Sequence, residues 1–88
     1  MIKWLQTDES SRKVLFTIAN VESGSTNLGI LREMTGRYLG QGLDVRQQET
    51  VLKNLINRLQ AKDLVIREGD VVKMSQEGYR AYQDLYFG

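Results

Sequence analysis

Apolar residues along the chain follow two different rhythms, and the change between them divides it. Over residues 9–22, Val14, Leu15, Ile18 and Val21 recur every three or four positions, which predicts an amphipathic helix. Asp8 or Ser10 can cap its start by accepting a backbone N–H. Phe16 lies off the stripe and points to a second contact surface. The Ser/Gly-rich stretch ESGSTN, residues 22–27, breaks the pattern. Thr26 or Asn27 can then cap a second helix, with Leu28, Leu31 and Met34 or Thr35 inward and an end near Gly36. GRYLGQGLD, residues 36–44, holds three Gly and is expected to be a loop. Asp44 with Gln47 forms the Asp variant of a capping box. A third helix should extend to about Lys62, burying Val51, Leu52, Leu55, Ile56 and Leu59.

Beyond Lys62 the period drops from 3.6 to 2. LVIREGDVVKMS places Val65 and Arg67 on one strand and Val71 and Lys73 on the next, with Gly69-Asp70 as a two-residue hairpin turn. Ser75 can cap a last helix, QEGYRAYQDLYF, with Tyr79, Tyr82 and Tyr86 on one face and Leu85 beside them. The expected architecture is mainly α with a small β-hairpin, an α+β fold. It forms a single domain over residues 1–88, with a short apolar arm at 1–7 and a C-terminal helix at 76–88.

Three helices followed by a β-hairpin is the arrangement of a winged helix-turn-helix. ETVLKNLINRLQAKDLVI followed by VVKMSQEGYRAYQDL resembles winged helix-turn-helix transcriptional regulators of the PadR and MarR type. Their third helix opens on Thr-Val and closes on Gly-Leu-Ile; here Thr50, Val51, Leu55, Leu59, Leu64 and Val65 fill that frame, and Asp63 stands where the family has Gly. Ser75 to Gly78 resembles the family's Ser/Thr-x-x-Gly step out of the wing. The likeness covers roughly residues 11–85. It implies double-stranded DNA binding, with the third helix in the major groove and the wing on the backbone. Two features depart from the family: a long Gly-rich loop before the third helix, and a short C-terminal helix.

On a wheel of about 100° per residue, the outward side of the third helix carries Arg46, Thr50, Lys53, Asn54 and Asn57, with Gln47 at one margin and Glu49 at the other. Arg and Lys donate to guanine and phosphate, and Asn and Gln can pair with an adenine edge. A carboxylate there would be repelled by phosphate, and that central face has none. The first turn of the helix, Arg46 to Thr50, also presents backbone N–H groups that favour phosphate. Arg67 and Lys73 add two cations on opposite strands of the hairpin, while Glu68 and Asp70 make its tip a poor minor-groove probe. An ordinary solvated helix face would show similar residue types.

Composition narrows the alternatives. The net charge of +1 neither favours nor excludes nucleic acid, so any basic footprint depends on where the charges sit. With no Cys and no His, the chain lacks thiolate and imidazole metal ligands and the commonest general base. No phosphate-loop motif is present either, so neither enzyme activity nor a cofactor is expected. No run approaches the roughly 20 apolar residues of a membrane span, and MIKWLQTDES lacks the apolar segment of a signal peptide, so a cytoplasmic location is expected. Apolar surface collects near both termini, at Trp4, Phe16, Tyr82, Leu85, Tyr86 and Phe87, and these are the expected interface of a homodimer. The competing function is a winged-helix module that assembles with a protein partner and does not touch DNA.

Overall fold

A computed structural model describes residues 7–21, 23–40 and 42–87, without the side chain of Arg37. Trp4 and nearly all of the expected arm lie outside these residues. In chain order the elements are α1 (Glu9–Ala19), β1 (Ser25–Asn27), α2 (Leu28–Leu39), α3 (Val45–Ala61), β2 (Val65–Glu68), β3 (Val71–Met74) and α4 (Gln76–Tyr86). The fold is mainly helical with a small three-stranded antiparallel sheet in the order β1-β3-β2.

Asp8 caps α1, accepting from the Ser11 N–H, and the helix buries Val14, Leu15 and Ile18. It stops at Ala19, short of the expected residue 22, because the Asn20 side chain takes the Phe16 carbonyl at 2.8 Å and competes with the helix's own ladder. β1 adds a strand to the expected elements: its sequence, STN, has no apolar alternation, and its extended form comes from pairing with β3, Ser25 opposite Lys73 and Asn27 opposite Val71. Asn27 then caps α2 by accepting from the Ile30 N–H at 2.8 Å.

α2 passes through Gly36, its expected end, and continues to Leu39. Gly36 is buried inside the helix, and a Cβ there would lie 3.2 Å from the Gln48 side-chain nitrogen, so the bare backbone makes room for α3. Of the two inward alternatives on α2, Thr35 is the buried one, its hydroxyl donating to the Leu31 carbonyl at 2.7 Å, and Met34 faces outward.

α3 is 17 residues long and starts on a complete capping box: the Gln47 N–H donates to Asp44 Oδ1 at 2.8 Å and the Asp44 N–H to Gln47 Oε1 at 3.0 Å. Leu52, Leu55, Ile56 and Leu59 fill the core against α1 and α2, with Val51 partly buried at its edge. Asp63 turns the chain out of α3 at φ 62°, the left-handed position that Gly would hold more easily. In the hairpin Glu68 stands opposite Val71, leaving Gly69-Asp70 as the turn, with Gly69 at φ 62°. Ser75 caps α4, which ends at Tyr86, before the expected residue 88. Among the described glycines, Gly78 packs most closely: a Cβ on it would lie 2.0 Å from the Leu64 carbonyl oxygen.

Candidate nucleic-acid interface

The outward row of α3 is exposed along its whole length: Arg46, Gln47, Thr50, Lys53, Asn54 and Asn57 all face solvent. The capping box fixes the start of this row, and the leucine stripe behind it fixes its rotation. Hydrogen bonding divides the row. The Gln47 side-chain oxygen is committed to the capping box. The Thr50 hydroxyl donates to the Arg46 carbonyl at 3.1 Å. Asn57 Oδ1 accepts from Arg67 at 3.4 Å. Among the described residues, Arg46, Lys53 and Asn54 therefore carry the side-chain groups with no protein partner.

Four cations elsewhere are paired with acids, whereas Lys62 at the end of α3 is exposed and, like Arg46 and Lys53, has no acid partner among the described residues. Lys13 pairs with Glu9 at 2.9 Å, Arg58 with Asp8 at 2.6 Å, Lys73 with Glu68 at 3.8 Å and Arg80 with Glu77 at 3.0 Å. Burial works to raise the Asp8 carboxyl's pKa, but hydrogen bonds from the Ser11 N–H and hydroxyl and the Arg58 guanidinium outweigh it and hold the group below its ordinary value. Glu9 is likewise lowered, by the hydrogen bond and charge of Lys13.

The hairpin contributes unequally. Arg67 stands opposite the buried Val72, so it shares the sheet face turned toward the body, and its guanidinium bridges the Gly69 carbonyl at 2.9 Å and Asn57 of α3. Lys73 stands opposite the exposed Ile66, on the other face of the sheet. The two cations expected to act together are therefore split, and only Arg67 joins the α3 row. Residue spacing did not indicate this link between Arg67 and Asn57.

Lys53 does not stand alone. It lines a cleft of about 510 Å³ with Glu49, Asp70, Asn27, Leu28, Gly29 and Leu52, between the start of α2, α3 and the hairpin turn. The two acids reduce the net positive potential there, so the positive end of the row is Arg46 and its centre Asn54. Among the described residues there is no group of three His, Cys, Asp or Glu able to hold a metal ion, and no helix is long and apolar enough to cross a membrane.

The residues expected at a dimer interface also separate. Phe16, Tyr82 and Tyr86 form one aromatic cluster, with ring centroids 5.0–5.8 Å apart, and Phe87 packs on Tyr82 at 5.7 Å. Leu85 and Tyr82 are partly buried against the core, so much of their apolar surface serves the monomer, whereas Phe16, Tyr86 and Phe87 remain exposed. Tyr79 lies apart, its hydroxyl beside Gly24.

No protein-family model matches the chain, and neither does a curated protein or a solved structure.

Proposed function

We propose that this chain is a winged-helix protein that binds double-stranded DNA sequence-specifically and acts in the cytoplasm as a small transcriptional regulator. α3 enters the major groove, and the hairpin lies along the backbone. The observation that carries the reading is the α3 row. Arg46 and Lys53 are exposed without an acid partner among the described residues, with the free amide of Asn54 next to Lys53 and Arg67 tied to Asn57 at the end. Three helices leading into a hairpin support the winged-helix assignment. Arg46 and Lys53 are suited to phosphate or guanine, and Asn54 to an adenine edge. A module that binds a protein and no DNA is the second reading, favoured by the acids Glu49, Glu68 and Asp70 around the same face.

Fluorescence anisotropy on a mixed-sequence duplex separates the two. The DNA reading expects binding that weakens as salt rises, and a slope of log K against log salt that becomes shallower by about 2 in the Arg46→Ala/Lys53→Ala protein. Absence of binding at low salt would leave the assembly reading in its place.

A further inference from the structure

α2 carries apolar residues on two flanks. Leu28, Leu31 and Leu39 face the core. Ile30, Met34 and Tyr38, four residues apart, form a second stripe that is 49%, 48% and 39% exposed. This stripe lies away from the flank where Gly36 touches Gln48 of α3. Phe16, Tyr86 and Phe87 extend it across α1 and α4, with Phe87 75% exposed. A cleft of about 390 Å³ runs through the middle, lined by Lys13, Phe16, Thr17, Met34, Tyr38 and Tyr86.

We propose that this face is a self-association surface: two copies of the chain pack it together about a two-fold axis, with Phe87 of each copy seated in the cleft of the other. The area is of the size a stable dimer needs. Taking about 200 Å² for each aromatic side chain, the four rings leave on the order of 400 Å² uncovered, and Ile30 and Met34 raise the apolar total to roughly 550 Å². A standard interface buries about 800 Å² per partner, somewhat over half of it apolar, so the face supplies the apolar part of one such interface. It also sits near the upper end of the roughly 300–600 Å² that the largest patch on a monomer reaches.

Charge and shape select the partner. The cation lining the cleft, Lys13, is neutralised by Glu9 at 2.9 Å and lies over the Tyr38 ring at 4.5 Å. The cleft therefore offers no net charge to attract nucleic acid or a charged peptide. A two-fold contact needs a projection and a hollow on the same surface. Phe87 is the projection, and the cleft is the hollow. The interface differs from one built at the termini alone, because Ile30, Met34 and Tyr38 of α2 belong to it and Leu85 is partly buried against the core. It does not depend on DNA binding, since α3 faces elsewhere.

The test is sedimentation equilibrium from low to several hundred micromolar protein. The wild type is expected at twice its chain mass of 10.1 kDa. Met34→Glu, which places a charge in the middle of the face, is expected to be monomeric with an unchanged far-UV CD spectrum. Phe87→Ala, at an exposed site past the last helix, is expected to weaken the dimer at least tenfold. If Met34→Glu fails to fold, Phe87→Ala decides alone. A wild type that stays monomeric at the highest concentration overturns the proposal, as does a dimer that Phe87→Ala leaves unchanged.

Discussion

The outward row of α3 and the outward flank of α2 are both helical surfaces left uncovered by one core, yet they are made of opposite materials. α3 shows cations and amides, with Arg46 and Lys53 unpaired among the described residues. α2 shows Ile30, Met34 and Tyr38, continued by aromatic rings, with Lys13, which lines the cleft, neutralised by Glu9. A polar row is what water alone would select, whereas a stripe of exposed apolar side chains is not. As proposed above, the two surfaces meet two partners, a polyanion for α3 and a second copy of the chain for the flank of α2.

The most damaging way to break this arrangement lies between the faces. α4 carries Tyr82, Tyr86 and Phe87, and its first turn sits on the chain leaving α3. A Cβ at Gly78 would meet the Leu64 carbonyl oxygen at 2.0 Å and Met74 Cε at 3.0 Å. The methionine end can move, but the carbonyl cannot, because it also accepts from the Ser75 N–H at 3.2 Å. Gly78→Ala should therefore lift α4 and cost more than about 3 kcal/mol in urea unfolding, beyond ordinary overpacking. A loss below about 1 kcal/mol would mean that α4 is seated differently. The same contact gives a physical reason for Gly at the end of the Ser75–Gly78 step.

That step could be read in the sequence, but its cause could not. The limits of α3 were legible because its signals are local: Asp44 and Gln47 three residues apart, then an unbroken 3.6 period. The hairpin was legible from Gly69-Asp70 between β-branched runs. β1 was not, since three polar residues become a strand only when β3 offers them partners. The end of α2 lies beyond the expected Gly36, because a packing requirement from Gln48 outweighs the cost of Gly inside the helix. In the candidate site, the wheel separates outward from inward positions but is blind to hydrogen bonds across elements. It could not tell that Asn57 is held by Arg67, or that Lys73 lies on the far face of the sheet. Leu85, expected outward from its place beside the tyrosines, is partly buried against the core.

A smaller change sharpens the contrast at its edge. Arg58 is an α3 cation that does have an acid partner, Asp8, which also caps α1. Asp8→Ala should cost about 1–2 kcal/mol, mostly through the lost cap, since the partly exposed ion pair adds at most about 1 kcal/mol. Asp8→Asn keeps an acceptor for the Ser11 N–H and should lose less. The carboxyl's pKa is lowered by folding, so its contribution is present above the ordinary carboxylate range and fades as pH falls below that range through the lower folded value. Urea titrations at pH 7 and in acid should therefore find wild type and Asp8→Ala well separated at neutrality and converging in acid. Equal separation at both would show that the carboxylate's charge does not matter.

The subtlest test is within the polar face, between Asn57 and Arg67. Their hydrogen bond is long, 3.4 Å, and exposed, so removing both partners should reveal a stability coupling of only about 0.5 kcal/mol or less. DNA binding should respond differently. If Asn57 works by aiming the Arg67 guanidinium, which the Gly69 carbonyl holds from the other side, then Asn57→Ala and Arg67→Ala remove one and the same contact. The double variant should then bind no more weakly than Arg67→Ala alone. If Asn57 reads a base by itself, the two losses add, and Asn57→Ala alone should relax the sequence preference, whereas loss of a phosphate contact weakens all sequences alike. A double-mutant cycle in anisotropy, run on matched and mixed-sequence duplexes, assigns Asn57 to α3's reading row or to the support of the hairpin.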